Sequence, residues 1–204
     1  RAKKGGLNAA LSVAYIGSDL NVDEARIIVD SVIKLVNNYT VIYPDKFAKA
    51  KNPEDIEKNF SDNLFSLPLC LENGTPIGDD LNYLKYLKDQ GIVYITLNHN
   101  KTNQISDSNF DKDRNWNGLS PLGIEVIKEM NHLGIMIDIS HSTDSTVIQS
   151  LKYSKAPIIA SHSSCRYFTP GLERNLSDTL IKLIANKNGV IMVNFCSMFL
   201  DSVC

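Results

Sequence analysis

The stretch GLSPLGIEVIKEMNHLGIMIDISHS, residues 118–142, decides the fold class. Its first part, SPLGIEVIKEMNHLG (120–134), carries apolar residues at helical spacing, and GIMIDISHS (134–142) is a short apolar run that ends in polar residues. A helix that feeds a short apolar strand is the repeating unit of a parallel sheet, because a parallel crossover needs a connection of helix length. A strand that is apolar nearly throughout, rather than in alternation, is buried on both faces. His132 sits in the last turn of the expected helix, just before Gly134. An imidazole there caps carbonyls and opposes the helix dipole, so no catalytic role is expected of it.

The same unit recurs on both sides of this stretch. Upstream, GLNAALSVAYI (6–16) precedes an amphipathic stretch from Val22 to Val36, FSLPLCLEN (65–73) precedes DDLNYLKYLKDQG, and IVYITLNHN (92–100) precedes the helix already described. Downstream, a helix is expected over 144–153, then APIIASHSS (156–164), a helix over 177–187, and GVIMVNF (189–195). Six strands with interleaved helices make an α/β protein. No G-x-G-x-x-G or G-x-x-x-x-G-K-[ST] motif is present, which disfavours a nucleotide-binding doubly wound sheet. The expected architecture is a (β/α)8 barrel of TIM type, incomplete here with about six of its eight strands, forming one domain over 1–204. Residues 44–63 and 101–118 carry no apolar periodicity and are expected as surface insertions, the second directly after a strand end.

Composition narrows the function. With 43% hydrophobic and 22% charged residues and a formal net charge of -2, the chain has neither the composition of a disordered segment nor a basic footprint for nucleic acid or anionic lipid. No apolar run reaches the roughly 18 residues of a membrane span. The four cysteines show no C-x-x-C spacing and are expected as free, mostly buried thiols. The chain begins at Arg1 without the layout of a signal peptide, and its start is expected to be internal. Of the five N-x-S/T sequons, Asn73 and Asn100 adjoin the candidate site residues, where a glycan would obstruct access. That argues against passage through a glycosylating pathway, while localisation stays open.

The chemistry gathers at strand ends. His99, His141 and His162 close three of the expected strands, and Glu72 closes another. In a parallel barrel these ends converge on one face, so residues distant in sequence meet there. Two imidazoles and a carboxylate are a usual ligand set for zinc or a similar ion, and a carboxylate can bridge two ions. Each histidine alone could equally be a hydrogen-bonded residue of a strand-end turn, since Ser follows His141 and His162 and Asn follows His99. Asp138, three residues before His141, could orient a ligand histidine or be simply a buried polar residue. Arg174 lies in the loop before the last helix, where a guanidinium could grip a carboxylate or be an exposed loop residue with no function.

The LENG stretch (71–74), TLNHNKTNQISDS (96–108), residues 118–142, SHSSCR (161–166) and ERNLSD (173–178) together resemble the renal, or membrane, dipeptidases, over about Lys3 to Phe195. The resemblance implies a two-zinc barrel hydrolase acting on dipeptides. Glu72 would be the bridging glutamate, His141 and His162 would complete one metal site, His99 would be the substrate-side catalytic histidine, and Arg174 would bind the terminal carboxylate. The family's H-x-D pair is expected before Arg1 and its late aspartate beyond Cys204, so these residues alone are expected to be poorly active. Homodimers are frequent in the family. The alternatives are a related amidohydrolase acting on a cyclic amide or lactone, and a degenerate, non-catalytic barrel.

Overall fold

The computed structural model describes residues 1–201. In chain order the elements are β1 (Ser12–Tyr15), α1 (Val22–Ile42), β2 (Phe47–Ala50), α2 (Pro53–Ser61), β3 (Phe65–Glu72), α3 (Asn82–Gln90), β4 (Ile92–Thr96), α4 (Pro121–Leu133), β5 (Met136–Asp138), α5 (Asp144–Tyr153), β6 (Ile159–Ala160), α6 (Asp178–Asn186) and β7 (Val190–Ile191). The strands pair in parallel in the order β1-β3-β4-β5-β6-β7, the six-strand path that the sequence pattern predicts. Among the described residues β1 and β7 end this path without pairing to each other, so the barrel is not closed.

Local chemistry starts the helices where the pattern places them. Asn21 and Glu24 form a reciprocal capping box at α1, whose Ala25, Val29, Ile33 and Val36 are buried along one face. The helix runs on to Ile42, six residues past the last residue of its buried stripe. At α4, Ser120 accepts from the Gly123 amide, Pro121 occupies the first turn, and Gly134 closes the helix in the left-handed region at φ 67°.

Two expectations need correction. Residues 44–63, expected as a surface insertion, fold as β2 and α2. Ala48 of β2 pairs with Ser66 of β3, while Ala9 bridges the same Ser66. A strand residue has one neighbour on each side, so β2 occupies the edge of β3 that β4 takes over from Leu69 onward. The apolar period is missing because α2 buries Asn59, whose amide donates to the Lys49 carbonyl and the Ser66 hydroxyl at 2.9 and 3.1 Å. The thiols also differ. Cys70, Cys165 and Cys196 are free, but only Cys70 is buried, and Cys204 lies outside the described residues.

The sheet separates two environments. Leu69, Leu71, Ile95 and Ile137 face the helices in the main core, whereas Cys70, Tyr94 and Ile159 form a small cluster on the other face. Side chains alternate along a strand, so Glu72 and Thr96 share that second face with Cys70 and Tyr94. Residues 101–118 stay without helix or strand, yet they are firmly held. The buried Asp107 carboxylate accepts from the Asn115, Trp116 and Gly118 amides at 2.8 to 3.2 Å. The Ile105 carbonyl packs so closely on α4 that a Cβ at Gly123 would lie 2.1 Å from it.

Candidate metal centre

Sheet register aligns Tyr15, Glu72, Thr96 and Asp138 in one row at the carboxyl ends of β1, β3, β4 and β5. His99, His141 and His162 follow β4, β5 and β6 by two or three residues, which carries their rings over that row. Glu72 Oε1 lies 3.3 Å from His141 Nε2, 3.2 Å from His162 Nε2 and 3.8 Å from His99 Nε2. The Nε2 atoms of His141 and His162 are 2.9 Å apart. Glu72, His99 and His141 each offer a donor atom within 4.8 Å of the others, so two overlapping triples share Glu72 and His141.

The backbone is bent to achieve this. His141 adopts φ 70°, in the left-handed region that a non-glycine residue enters at a cost of roughly 1 kcal/mol or more. The Asn98 amide donates to the His141 carbonyl at 3.2 Å, and Ser142 donates back to Asn98 Oδ1 at 2.9 Å, which holds the turn.

Hydrogen bonds on the far ring nitrogens set the imidazoles. The Ser161 hydroxyl donates to Asp138 Oδ2 at 2.6 Å and thereby turns a lone pair to His162 Nδ1 at 2.7 Å. Asp138 is fully buried and also accepts from Thr96 Oγ1 at 2.6 Å and from the Ser161 amide at 2.8 Å. It therefore acts on His162 through Ser161, rather than on His141, its neighbour on the same strand. Asn100 Oδ1 plays the matching part for His141 Nδ1 at 3.2 Å. With both Nδ1 atoms acting as donors, both Nε2 lone pairs point at Glu72 Oε1, a set that a cation satisfies. The donor set fits a divalent metal on this chemistry.

Burial and the close approach of the rings bear on the ligand protonation states. For Glu72 burial works to raise the pKa, but the His141 and His162 rings packed against it outweigh burial and hold the carboxyl well below the usual range. Burial pushes His141 down to about 3 against the pull of Glu72. His99 is lowered as well, first by burial, with His162 and Arg174 adding to the effect. A carboxylate among neutral imidazoles is the form in which such groups bind metal.

His99 sits differently from the other two histidines. Its Nδ1 is 3.2 Å from Ser18 Oγ, which itself accepts from the Asn100 amide at 3.2 Å, and its ring meets Tyr15 edge-on. Arg174 is only 2% exposed, and its Nη1 donates to Ser163 Oγ at 2.9 Å, one residue from His162. Its Nε has no partner among the described residues, and burial lowers its pKa to about 10 despite Asp138 and Glu72. The loop around it is braced: Arg166 pairs with Asp144 and donates to the Asn175 carbonyl at 2.8 Å. A buried guanidinium with a free donor suits an anionic group, because a desolvated charge requires compensation.

The five named residues thus come together, with Glu72, His99, His141 and His162 in contact and Arg174 beside them. Sequence reading did not assign Ser18, Asn98, Asn100, Ser161 or Ser163. Asn100, Ser161 and Ser163 adjoin the histidines in the quoted motifs, whereas Ser18 carried no signal at all. His132 is exposed in the last turn of α4 and far from this cluster in the fold. Asn73, one of the sequons beside the site, is 2% exposed and donates to the Ile16 carbonyl.

The family model described as membrane dipeptidase, peptidase family M19, matches residues 1–203. A protein of Schizosaccharomyces pombe described as an uncharacterized dipeptidase is 34% identical over 171 residues, 83% of this chain and 41% of that protein. The dipeptidase aclJ of Aspergillus oryzae is 28% identical over 202 residues, 95% of this chain and 48% of that protein. The crystal structure of the probable dipeptidase PvdM from Pseudomonas aeruginosa superposes with a TM-score of 0.92 at 29% identity, covering 98% of this chain and 54% of that one. The chain spans about half the length, or less, of the curated relatives it matches.

Proposed function

The chain belongs to the membrane dipeptidase family, peptidase family M19, and from that premise we propose that the protein hydrolyses dipeptides at a metal centre built on Glu72, His141 and His162. The observation that carries the reading is the convergence of the Glu72 carboxylate with two imidazole lone pairs whose Nδ1 atoms are committed elsewhere. Bound there, a divalent ion would supply a water acidic enough to give hydroxide near neutral pH and would polarise the scissile carbonyl. Zinc is the proposed metal, two per site, because the ligand types suit it and Glu72 has a second oxygen for a second ion. A homodimer is the proposed assembly.

The remaining steps belong to the chain's own residues. Ser18, donating to His99 Nδ1, leaves the His99 Nε2 proton facing the cluster, where it donates to the oxygen that gathers charge in the tetrahedral intermediate. Arg174 holds the terminal carboxylate of the dipeptide and so fixes which amide reaches the metal. The described residues supply donors for one metal position and the bridging carboxylate. On that basis residues 1–204 by themselves are expected to turn over dipeptides poorly.

Elemental analysis of the full-length protein, with hydrolysis of a simple dipeptide before and after chelation, tests this reading. About two zinc per chain and turnover abolished by chelator support it, whereas turnover untouched by chelation overturns it. Absence of both metal and turnover favours a degenerate barrel. A structure described as an amidohydrolase from Pseudomonas aeruginosa, with a TM-score of 0.83 and 26% identity over 94% of this chain and 56% of that one, keeps a cyclic amide or lactone as a second reading. Arg174→Ala separates the two. It should raise KM for dipeptides sharply, a loss of roughly 2–5 kcal/mol, and should leave turnover of a substrate without a free carboxylate nearly unchanged.

A further inference from the structure

The metal cluster and Arg174 are joined by a wall of two aromatic rings. Phe110, in the loop after β4, has its ring centroid 6.3 Å from that of His141 and 6.4 Å from that of Phe199. The Arg174 guanidinium carbon in turn lies 5.3 Å from the Phe199 centroid. The backbone that carries each ring is tied to the site. The Asn109 amide donates to the His141 carbonyl at 2.9 Å, Ser108 bridges Ser142, and the Asn175 side chain donates to the Phe199 carbonyl at 2.8 Å. Phe110 is nonetheless 42% exposed among the described residues, so it is not wholly packed into the core.

We propose that Phe110 and Phe199 form the subsite for the C-terminal side chain of the substrate and make the enzyme prefer a large apolar residue there. The inference rests on the dipeptidase reading for its two poles, the scissile carbonyl at the metal cluster and the terminal carboxylate at Arg174. Between those two groups a dipeptide has only the nitrogen and Cα of its C-terminal residue. The side chain that leaves this Cα meets whatever flanks the line between the poles, and the described flank is the pair of phenyl rings. Removing water from two aromatic faces favours an apolar side chain and gives nothing to glycine, a difference on the order of ten-fold or more.

The test measures kcat/KM of the metal-loaded full-length protein for Ala-Leu and Ala-Gly, together with calorimetric binding of free leucine and glycine. The wild type is expected to favour Ala-Leu by about ten-fold or more, and Phe110→Ala to reduce the ratio of the two kcat/KM values by about as much, chiefly through KM. Phe110→Leu should restore most of the ratio, and Phe199→Ala should lower it. A wild type indifferent to the C-terminal side chain, or a ratio unmoved by Phe110→Ala, overturns the proposal. If no dipeptide is cleaved the dipeptidase reading fails by itself, and leucine binding then decides the subsite. Leucine bound more tightly than glycine and weakened by Phe110→Ala upholds it, and equal binding of the two overturns it.

Discussion

His162 shows how a residue's chemistry is set one neighbour away. Its Nδ1 rests on Ser161, and Ser161 rests on Asp138, so a hydroxyl decides which nitrogen of the ring is free for metal. Supporting groups of this kind are worth about 10–100-fold in metal affinity. Ser161→Ala should therefore weaken zinc binding by that much in a competition titration with a chromophoric chelator. An unchanged affinity would mean that Ser161 does not set His162. The histidines and Glu72 were legible as residue types at strand ends and Arg174 as an arginine in the loop before the last helix, and the family resemblance implied their roles. Ser18 was not, because a serine 81 positions from His99 becomes its neighbour only when β1 and β4 flank β3.

The elements beneath the site were legible wherever burial followed a simple period. Helix α1 carries a capping box and a buried stripe, and α4 has Ser120, Pro121 and Gly134 at its ends. Helix α2 was illegible because its inward residue is Asn59, whose burial is repaid by hydrogen bonds to β2 and β3 rather than by apolar contact. The loop of residues 101–118 reads as irregular and polar, yet it is anchored on Asp107 and pressed against α4 at Gly123. Gly123→Ala drives a methyl group into the Ile105 carbonyl and should cost about 1–3 kcal/mol. In a domain of this size that lowers the melting temperature by several degrees. A melting curve superimposable on that of the wild type would show that the loop yields freely. The same loop carries Phe110, so its anchorage also bears on the proposed side-chain subsite.

At the scale of the whole molecule the metal centre is assembled from β3, β4, β5 and β6 together, so ion binding and folding are coupled. A ligand present at about 100 times its Kd stabilises the folded state by about 2.7 kcal/mol. Zinc should accordingly raise the melting temperature of the full-length protein, and chelator should reverse the rise. His141→Ala should abolish most of the zinc-dependent increment, whereas an increment preserved in that variant would place the ion elsewhere. No helix among the described residues is long and apolar enough to cross a membrane. The sequence by itself determined the α/β alternation and the six-strand path and pointed to the candidate site residues, because apolar period and strand-end position are local properties. Only the tertiary structure decided that β2 joins the sheet, that Asp138 serves His162 through Ser161, and that Phe110 and Phe199 stand between the histidines and Arg174. Each of those facts depends on which strands and loops become neighbours, and contact between distant segments is written in packing rather than in period.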